Sequence, residues 1–169
     1  MHYRWPQDAR VLAVSTMRRL IVFFATAAYA GFVPVAPGTA GSLVGLIVAW
    51  AVFGGLCQTS WQVAALAFAA LLAPACWISG RAEEIFGEID SPHIVIDEVF
   101  GMVATMFMNP VDLLHLVVGF ALFRLFDITK PFPAGLIERR VRGGAGVMLD
   151  DLAAAIYANI ALRILARLL

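Results

Sequence analysis

Charged residues are scarce in this chain of 169 residues. Only 14% of the residues are Asp, Glu, Lys or Arg, whereas 62% are hydrophobic. Soluble domains carry about a quarter charged residues and about half apolar residues. The composition therefore excludes an ordinary soluble domain and predicts an integral membrane protein. The net charge is zero, which argues against a nucleic acid partner, because polyanions are bound through an excess of basic residues.

Cysteine and histidine are also few. Cys57 and Cys76 lie far apart in apolar runs, and the three histidines form no H-E-x-x-H pattern. This spacing excludes a disulfide framework and a clustered zinc site, and it predicts two buried thiols. The Walker phosphate loop G-x-x-x-x-G-K-[ST] is absent as well.

The apolar residues fall into segments separated by short polar connections. A spanning helix needs about 20 apolar residues, and spanning backbone must satisfy its own hydrogen bonds. We therefore predict one all-α domain over residues 1–169, a polytopic membrane helix bundle. Its five predicted spans are Ala40 to Leu56, Trp61 to Ser79, Ile94 to Met108, Leu113 to Ile128 and Leu149 to Leu169.

Before these spans lies a polar, basic segment, residues 1–19, followed by a short apolar segment, residues 20–36. Glycine and proline interrupt the apolar part, so we expect a re-entrant or interfacial element. A cleaved signal peptide is the alternative. Its pattern would be a basic start, an apolar core and an A-x-A site at Ala28-Tyr29-Ala30.

The basic residues predict the orientation of the bundle. They concentrate in the N-terminal segment and in the connections at residues 80–91 and 129–148, while the connections at 54–60 and 109–112 contain no Lys or Arg. Basic residues favour the cytoplasmic side of a membrane. The N-terminus and the two basic connections are therefore expected in the cytoplasm.

This topology brings acidic residues from three helices to one depth near the cytoplasmic face. They are Asp97, Glu98, Asp127, Asp150 and Asp151. Acids within spans are costly unless they face a cavity or a partner, and they indicate a functional site. A divalent cation would relieve their repulsion, and an all-oxygen ligand set suits Mg²⁺.

Structural alternatives exist for some of these acids. Asp150 or Asp151 could cap a helix, and Asp127 could pair with Arg124 one turn earlier. Asp97 and Glu98 point about 100° apart on a helix, so one partner cannot readily satisfy both. The acids of the 80–91 connection are expected to form a solvated charged face, from which one could reach the site: Glu83, Glu84, Glu88 and Asp90.

Two stretches rich in small residues flank the acids in the sequence. In "APGTAGS", residues 36–42, Thr39 or Ser42 could cap the following helix, whose N-terminus would then bind an anion. The alternative is the start of a membrane helix with small residues for close packing. In "RGGAGVMLDD", the glycines permit close approach to a ligand or merely form a flexible loop.

Four motifs occur together in a fixed order: "VPVAPGTAGSLVGL", "IVIDEVFGM", "FRLFDITKPFP" and "GGAGVMLDDLAAAIYAN". Together they resemble the phosphatidylglycerophosphatase A family over roughly residues 28–160. The resemblance implies a Mg²⁺-dependent lipid phosphatase in the bacterial cytoplasmic (inner) membrane. Its substrate there would be a phospholipid, phosphatidylglycerophosphate, which loses its terminal phosphate to give phosphatidylglycerol.

The resemblance also implies roles for the residues of these motifs. The five carboxylates would hold the metal and take part in catalysis together with Lys130. The substrate phosphate would be bound by Gly38, Thr39, Ser42, Arg124 and Lys130.

Three other activities compete with hydrolysis by metal-activated water. A covalent aspartyl-phosphate route lacks the D-x-D-x-[TV] motif of haloacid dehalogenases, and a CDP-alcohol phosphotransferase lacks the D-G-x-x-A-R element. An ion or proton transporter would use intramembrane carboxylates, but it would place them near the midplane with paired broken helices.

Overall fold

A computed structural model describes residues 7–54 and 60–167, and these residues form helices and no strand. The predicted all-α class is therefore confirmed for the described residues, while Cys57 lies outside them. The α-helices are α1 (Gln7–Ala25), α2 (Pro37–Phe53), α3 (Trp61–Phe86), α4 (Ile96–Met106), α5 (Leu113–Thr129), α6 (Ala134–Arg140) and α7 (Gly144–Leu165), and a short 3-10 helix covers Ala30–Phe32.

Helices α4 and α7 form the centre of the bundle. Helix α4 packs against α2 and α7, and α7 also contacts α3, α5 and α6. One apolar cluster joins α1, α3 and the start of α7, and it includes Ile96 of α4. A second cluster joins α2, α5 and α7, and it includes Met102 of α4. The first turn of α4, which carries Asp97 and Glu98, therefore lies where the two clusters meet.

Two helices, α3 and α7, are long and apolar enough to cross a membrane, and α2 is a shorter apolar helix. The prediction of about five spans is therefore not confirmed. The third predicted span, Ile94 to Met108, contains only the 11-residue helix α4. Such a helix is about 16 Å long, roughly half the apolar thickness of a bilayer.

Side chains of α7 explain why α4 can end so early. Asn159 Nδ2 donates to the carbonyl oxygens of Ala104, Thr105 and Phe107 at 3.2, 2.9 and 2.8 Å. Arg163 Nη2 donates to Phe107 O at 3.1 Å. The last carbonyl groups of a helix have no partner within the helix, and burying them without hydrogen bonds costs free energy. The sequence pattern of one segment cannot predict hydrogen bonds from a neighbouring helix, so the early end of α4 was not predicted.

The N-terminal apolar segment, residues 20–36, contains the end of helix α1 and the short 3-10 helix, and its re-entrant or interfacial placement stays a prediction. Helix α1 begins at Gln7 within the polar segment, continues into the first apolar residues, ends at Ala25, and buries Ile21 and Ala25. A turn with three positive-φ residues and the short 3-10 helix lead to α2. Val95 N donates to Ala25 O at 2.9 Å, which joins this turn to the segment before α4.

Both predicted polar connections are partly helical. Helix α3 continues past Ser79 to Phe86, and α6 together with the first turns of α7 occupies much of residues 129–148. The acids of the 80–91 connection are mostly exposed, as expected for a solvated face, and Arg81 pairs with Glu84. Cys76 is a half-buried thiol.

The contact between α7 and α3 leads to a stability prediction for Gly144. A Cβ atom at Gly144 would overlap the backbone of α3 at Cys76 O and Gly80 N. Backbone atoms cannot move aside as a side-chain end can, so Gly144→Ala should destabilise the fold by about 1–3 kcal/mol, the usual range for overpacking. Thermal unfolding in one detergent measures the effect.

Gly80→Ala is the matched control, because it adds the same methyl group from the opposite side of this contact. The nearest atom to a Cβ at Gly80 is Gly144 N at 3.4 Å, an ordinary van der Waals distance. This variant should unfold close to the temperature of the unmodified protein. Equal unfolding temperatures for Gly144→Ala and Gly80→Ala would show that the helices separate at this point without cost.

Candidate active site

The predicted acids come from three helices. Asp97 and Glu98 lie in the first turn of α4, Asp127 lies near the end of α5, and Asp150 and Asp151 lie in the second turn of α7. Asp97, Asp150 and Asp151 are buried, with 4–8% of their surface exposed. The side chains of Glu98 and Asp127 are each 13% exposed. Five acids thus share a largely dehydrated part of the bundle.

Three of these acids, Asp97, Glu98 and Asp151, form the closest group, here called the carboxylate trio. One oxygen from each lies within 4.8 Å of those of the other two. Among the described residues, Asp97 Oδ1, Glu98 Oε2 and Asp151 Oδ2 are buried and have no hydrogen-bond partner. Buried polar atoms are normally paired, so these oxygens indicate a place for a ligand.

The other two acids are held in ion pairs. Arg124 Nη1 lies 2.7 Å from Asp127 Oδ2, and Lys130 Nζ lies 2.7 Å from Asp150 Oδ2. The pairing of Arg124 with Asp127, one turn apart, is the structural alternative considered from the sequence. The pair nevertheless adjoins the trio, because Arg124 Nη1 is also 4.0 Å from Glu98 Oε1.

The capping alternative for Asp150 and Asp151 is wrong. Helix α7 begins at Gly144, and its N-cap is Gly143, so both acids lie inside the helix. The glycine-rich stretch is therefore mostly helical. Its glycines permit the close approach of α7 to the neighbouring backbone at Gly80 and Val141.

The "APGTAGS" stretch begins α2 in a different way from the predicted cap. Ala36 is the N-cap residue, Pro37 is the first helical residue, and the Ser42 hydroxyl donates to Gly38 O at 2.8 Å. Neither Thr39 nor Ser42 caps the helix. Thr39 lies half-buried in the first turn of α2, and its role in phosphate binding stays a prediction.

This turn nevertheless lies against the acids. Arg124 Nη1 donates to Ser42 Oγ at 3.3 Å, and a Cβ atom at Gly38 would overlap Glu98 Oε1 and lie 3.2 Å from Arg124 Nη1. A glycine at position 38 therefore lets the start of α2 approach the carboxylate trio. Gly38, Ser42 and Arg124 are thus brought to the acids.

The donor set fits a hard divalent cation. The trio offers only oxygen atoms, and its three negative groups repel one another in a poorly hydrated place. Carboxylate oxygens are the ligands of Mg²⁺, Mn²⁺ and Ca²⁺ rather than of softer metals. A cation at the trio would satisfy the unpaired oxygens and offset the repulsion between them.

Comparison with known proteins identifies the family. The sequence profile of the family described as phosphatidylglycerophosphatase A matches residues 23–166, which include every acid of the site. The chain belongs to the phosphatidylglycerophosphatase A family. The family is one of phospholipid phosphatases, and the phosphatase activity suggested by the four sequence motifs is confirmed at this level.

Individual relatives agree with this assignment. The chain is 33% identical to phosphatidylglycerophosphatase A of Escherichia coli over 127 residues, 75% of this chain and 72% of the relative. It is 36% identical to phosphatidylglycerophosphatase A of Haemophilus influenzae over 132 residues, 77% of this chain and 78% of the relative.

A third relative has a different name. The chain is 36% identical over 146 residues, 83% of this chain and 90% of the relative, to a Bacteroides thetaiotaomicron protein named provisionally as a phosphatidylinositol-3-phosphatase. No solved structure matches the chain.

Two features of the structure were missed from the sequence. One is the division of the five acids into the trio and two ion-paired residues. The other is the set of contacts from Asn159 and Arg163 that end α4. Asp90, one of the acids expected to be solvated, is exposed. The polar residues of "YANIALR" inside an apolar helix were the available signal for Asn159 and Arg163.

Proposed function

We propose that the protein hydrolyses the terminal phosphate of phosphatidylglycerophosphate, giving phosphatidylglycerol and inorganic phosphate, with the help of Mg²⁺. The observation that carries the proposal is the unpaired carboxylate trio beside Arg124, in a chain of the phosphatidylglycerophosphatase A family. A cation site next to a fixed positive charge suits a phosphomonoester, which carries close to two negative charges near neutral pH.

In this proposal Asp97, Glu98 and Asp151 hold the cation. When bound, Mg²⁺ would supply Lewis acidity toward water and toward a phosphoryl oxygen. The trio is positioned for this role by two helices that pack directly on each other, α4 and α7. Side chains on packed helices need no ordering when the substrate arrives, so little reorganisation is required at the moment of reaction.

Arg124 is the principal phosphate ligand in this proposal. Its Nη1 atom contacts Asp127, Ser42 and Glu98, whereas its buried Nε atom has no hydrogen-bond partner among the described residues. The Nε donor lies beside the carboxylate trio, whose oxygens also have no hydrogen-bond partner. A phosphate with an associated cation suits both, because its oxygens accept from Nε and the cation binds the carboxylates. Lys130, Ser42, Thr39 and Gly38 complete the proposed phosphate site.

The proposed reaction is a direct attack of water on phosphorus. The bond between phosphorus and the glycerol oxygen breaks, and the leaving oxygen takes up a proton. Asp127 and Asp150 are the site acids outside the trio, and each lies 2.7 Å from a cationic group, Arg124 Nη1 or Lys130 Nζ. Either carboxylate could accept the proton of the attacking water and pass it to the leaving group.

We further propose a multi-pass location in the bacterial inner membrane, with the site on the cytoplasmic face. The apolar helices α3 and α7 support membrane insertion, as do exposed apolar side chains such as Ile47, Leu66 and Ile160. The basic residues near the acidic end of the bundle support the cytoplasmic orientation. A cysteine introduced at Arg139 should resist labelling from outside intact cells, and one at Met108 should react.

The substrate headgroup is the part of the proposal that the third relative puts in question. Its name assigns phosphatidylinositol 3-phosphate, which offers the same lipid phosphomonoester on a different alcohol. Phosphatidylglycerophosphate is favoured because the family description and two relatives carry its name. Transport and CDP-alcohol transfer have no support from the relatives.

One assay tests both the reaction and the headgroup. Inorganic phosphate release is measured from detergent-dispersed phosphatidylglycerophosphate and phosphatidylinositol 3-phosphate, before and after removal of divalent cations with a chelator. We expect release from phosphatidylglycerophosphate, its loss on chelation because the trio then lacks its cation, and recovery when Mg²⁺ is restored.

The other outcomes of this assay are equally informative. Full activity in the metal-stripped protein would contradict the cation site. Faster release from phosphatidylinositol 3-phosphate would keep the site chemistry and replace the proposed substrate. No release from either lipid would contradict the proposed function.

A further inference from the structure

An open apolar groove lies between α2, α3, α4 and α7. Its volume is about 660 Å³, within the range of about 300–1,000 Å³ that is usual for small-molecule sites. On α3 the groove is lined by the small side chains of Ala64, Ala65 and Ala67. Larger residues at these positions would fill the groove.

The groove follows the two helices that carry the carboxylate trio. Its lining on α4 begins at Val99, the residue after Glu98, and continues to Phe107. On α7 it includes Ile156 and Ile160, about one and a half to two and a half turns beyond Asp151. Eight residues of helix correspond to a depth of about 12 Å. One leaflet of a bilayer is about 15 Å deep, half of a core of about 30 Å.

Aromatic side chains close the groove at the end away from the acids. The ring centroids of Phe53 and Trp61 are 4.9 Å apart, those of Trp61 and Phe107 are 5.6 Å apart, and those of Phe53 and Phe107 are 6.2 Å apart. The groove therefore has a floor, and an occupant that enters from the acidic end has a limited length.

The described lining residues offer no free polar side chain to an occupant. Among the described residues that line the groove, Asn159 alone has a polar side chain. Its Nδ2 atom donates to three carbonyl oxygens of α4 and the residue after it, and its Oδ1 atom accepts from Arg163 Nε at 3.0 Å. Because the hydrogen-bonding groups of Asn159 are used in this way, the groove suits an occupant that is a hydrocarbon chain.

The groove also opens sideways. Val63 and Leu71, at the two ends of its α3 wall, are each 56% exposed. A chain of lipid could thus slide in from the surrounding membrane without passing through the bundle.

We propose that this groove holds one acyl chain of the lipid whose phosphate reaches the carboxylate trio. The inference rests on the proposed lipid phosphatase function. It adds a site that selects the substrate by the length and shape of its acyl chain. Four observations support an acyl chain as the occupant: continuity with the trio, a depth close to one leaflet, a closed floor and a lining without available polar groups. Lipid tails compete equally for apolar surfaces, so the groove selects by shape and length rather than by hydrophobicity.

The test uses the full-length protein and phosphatidylglycerophosphate with either palmitoyl or hexanoyl chains. Ala67→Trp fills the groove, whereas Ala69→Trp places the same side chain on an exposed part of α3 that does not line it. We expect Ala67→Trp to lower the ratio of kcat/KM for palmitoyl over hexanoyl substrate by about tenfold, the scale of shape discrimination in apolar pockets. Ala69→Trp should change the ratio by less than about twofold, as for a surface substitution.

A second measurement is independent of turnover and of the folding of variants. The unmodified protein, stripped of divalent cations, is photo-crosslinked to phosphatidylglycerophosphate with a diazirine near the end of one acyl chain. Peptide mass spectrometry should find the label on the groove side of α3 and α4, between Ala64 and Leu71 or between Val103 and Phe107. Excess unlabelled palmitoyl lipid phosphate should compete with it.

The outcomes separate this inference from the proposed function. Label spread evenly over exposed residues, or crosslinks to a second copy of the chain in the groove, would overturn the inference, as would equal ratios for the two tryptophan variants. If the unmodified protein releases no phosphate from either substrate, the proposed function is wrong. If excess unlabelled lipid does not reduce the labelling of the groove, the acyl-chain site is wrong.

Discussion

Asp97→Asn, Glu98→Gln and Asp151→Asn should each reduce phosphate release by about a thousandfold, the scale seen when one preorganised electrostatic group is removed from an active site. Each change preserves the shape of the side chain and removes one negative charge from the carboxylate trio, whose ligand oxygens lie within 4.8 Å of one another. The measurement is initial rates at saturating Mg²⁺ in one detergent.

A stability readout distinguishes a functional site from a structural one. The trio acids are buried together, and their carboxylates have oxygens without partners in the described structure. In a chelator, removing one of these repelling charges should leave the unfolding temperature unchanged or raise it, because functional groups are commonly retained at a cost in stability. A structural role would instead predict a lower unfolding temperature.

Asp112→Asn is the matched control for these variants. Asp112 is exposed, and its carboxylate accepts from Leu114 N and His115 N at the start of α5. The backbone N–H of His115 lowers the pKa of Asp112, and asparagine also caps helices well. Asp127 lies about 22 Å farther along α5. Near-native rates for two or more trio variants, or a comparable loss for Asp112→Asn, would contradict the assignment.

The second large effect concerns Arg124. Arg124→Leu should lower kcat/KM by about a hundredfold or more, because it removes the cation proposed to bind phosphate and leaves Asp127 without its partner at 2.7 Å. Arg124→Lys should restore only part of the activity. A lysine offers one ammonium in place of Nη1, which contacts Asp127, Glu98 and Ser42, and it lacks the Nε donor that is proposed to bind phosphate.

Substitutions of Lys130 and Arg139 provide the comparison for the effect of Arg124→Leu on kcat/KM. Lys130→Ala should lower kcat/KM by more than about tenfold, a loss of at least ~1.4 kcal/mol in transition-state stabilisation, because Lys130 pairs with the buried Asp150. Arg139→Ala, at an exposed position on α6, should have little effect, as a screened surface charge does. If Arg139→Ala loses activity while Arg124→Leu and Lys130→Ala keep the kcat/KM of the unmodified protein, the phosphate site lies on α6 instead.

Much of the architecture could be predicted because it depends on composition and local pattern. Long apolar runs in a chain with few charges predict helices, and helices are what the described residues form. The convergence of acids was predictable from alternating helix directions, which return Asp97, Asp127 and Asp151 to one end of the bundle. Neither inference required knowledge of a specific contact.

The helix boundaries depend on tertiary contacts and were less accessible. Helix α4 ends at Met106 because α7 supplies hydrogen-bond donors to its last carbonyls. Helix α7 begins at Gly144, in a stretch of low helix propensity, because only a residue without a side chain fits against the backbone of α3. Both effects act between segments distant in sequence.

The roles of the individual acids depend on distances that no spacing rule provides. Asp150 and Asp151 are neighbours in the chain, yet Asp150 pairs with Lys130 while Asp151 joins the trio. The difference follows from the angle of about 100° between successive side chains on a helix and from what packs on each side of α7.

The measurement that tests the account most directly is the binding of Mn²⁺, as a spectroscopic substitute for Mg²⁺, to the metal-stripped protein followed by electron paramagnetic resonance. The carboxylate trio predicts saturable binding to the unmodified protein that Mg²⁺ displaces. Asp151→Asn should weaken this binding by at least about tenfold, since even the groups that only orient metal ligands are worth 10–100-fold in affinity, and Asp112→Asn should leave it unchanged. Undiminished binding by Asp151→Asn, or no saturable binding by the unmodified protein, would contradict a cation site at Asp97, Glu98 and Asp151.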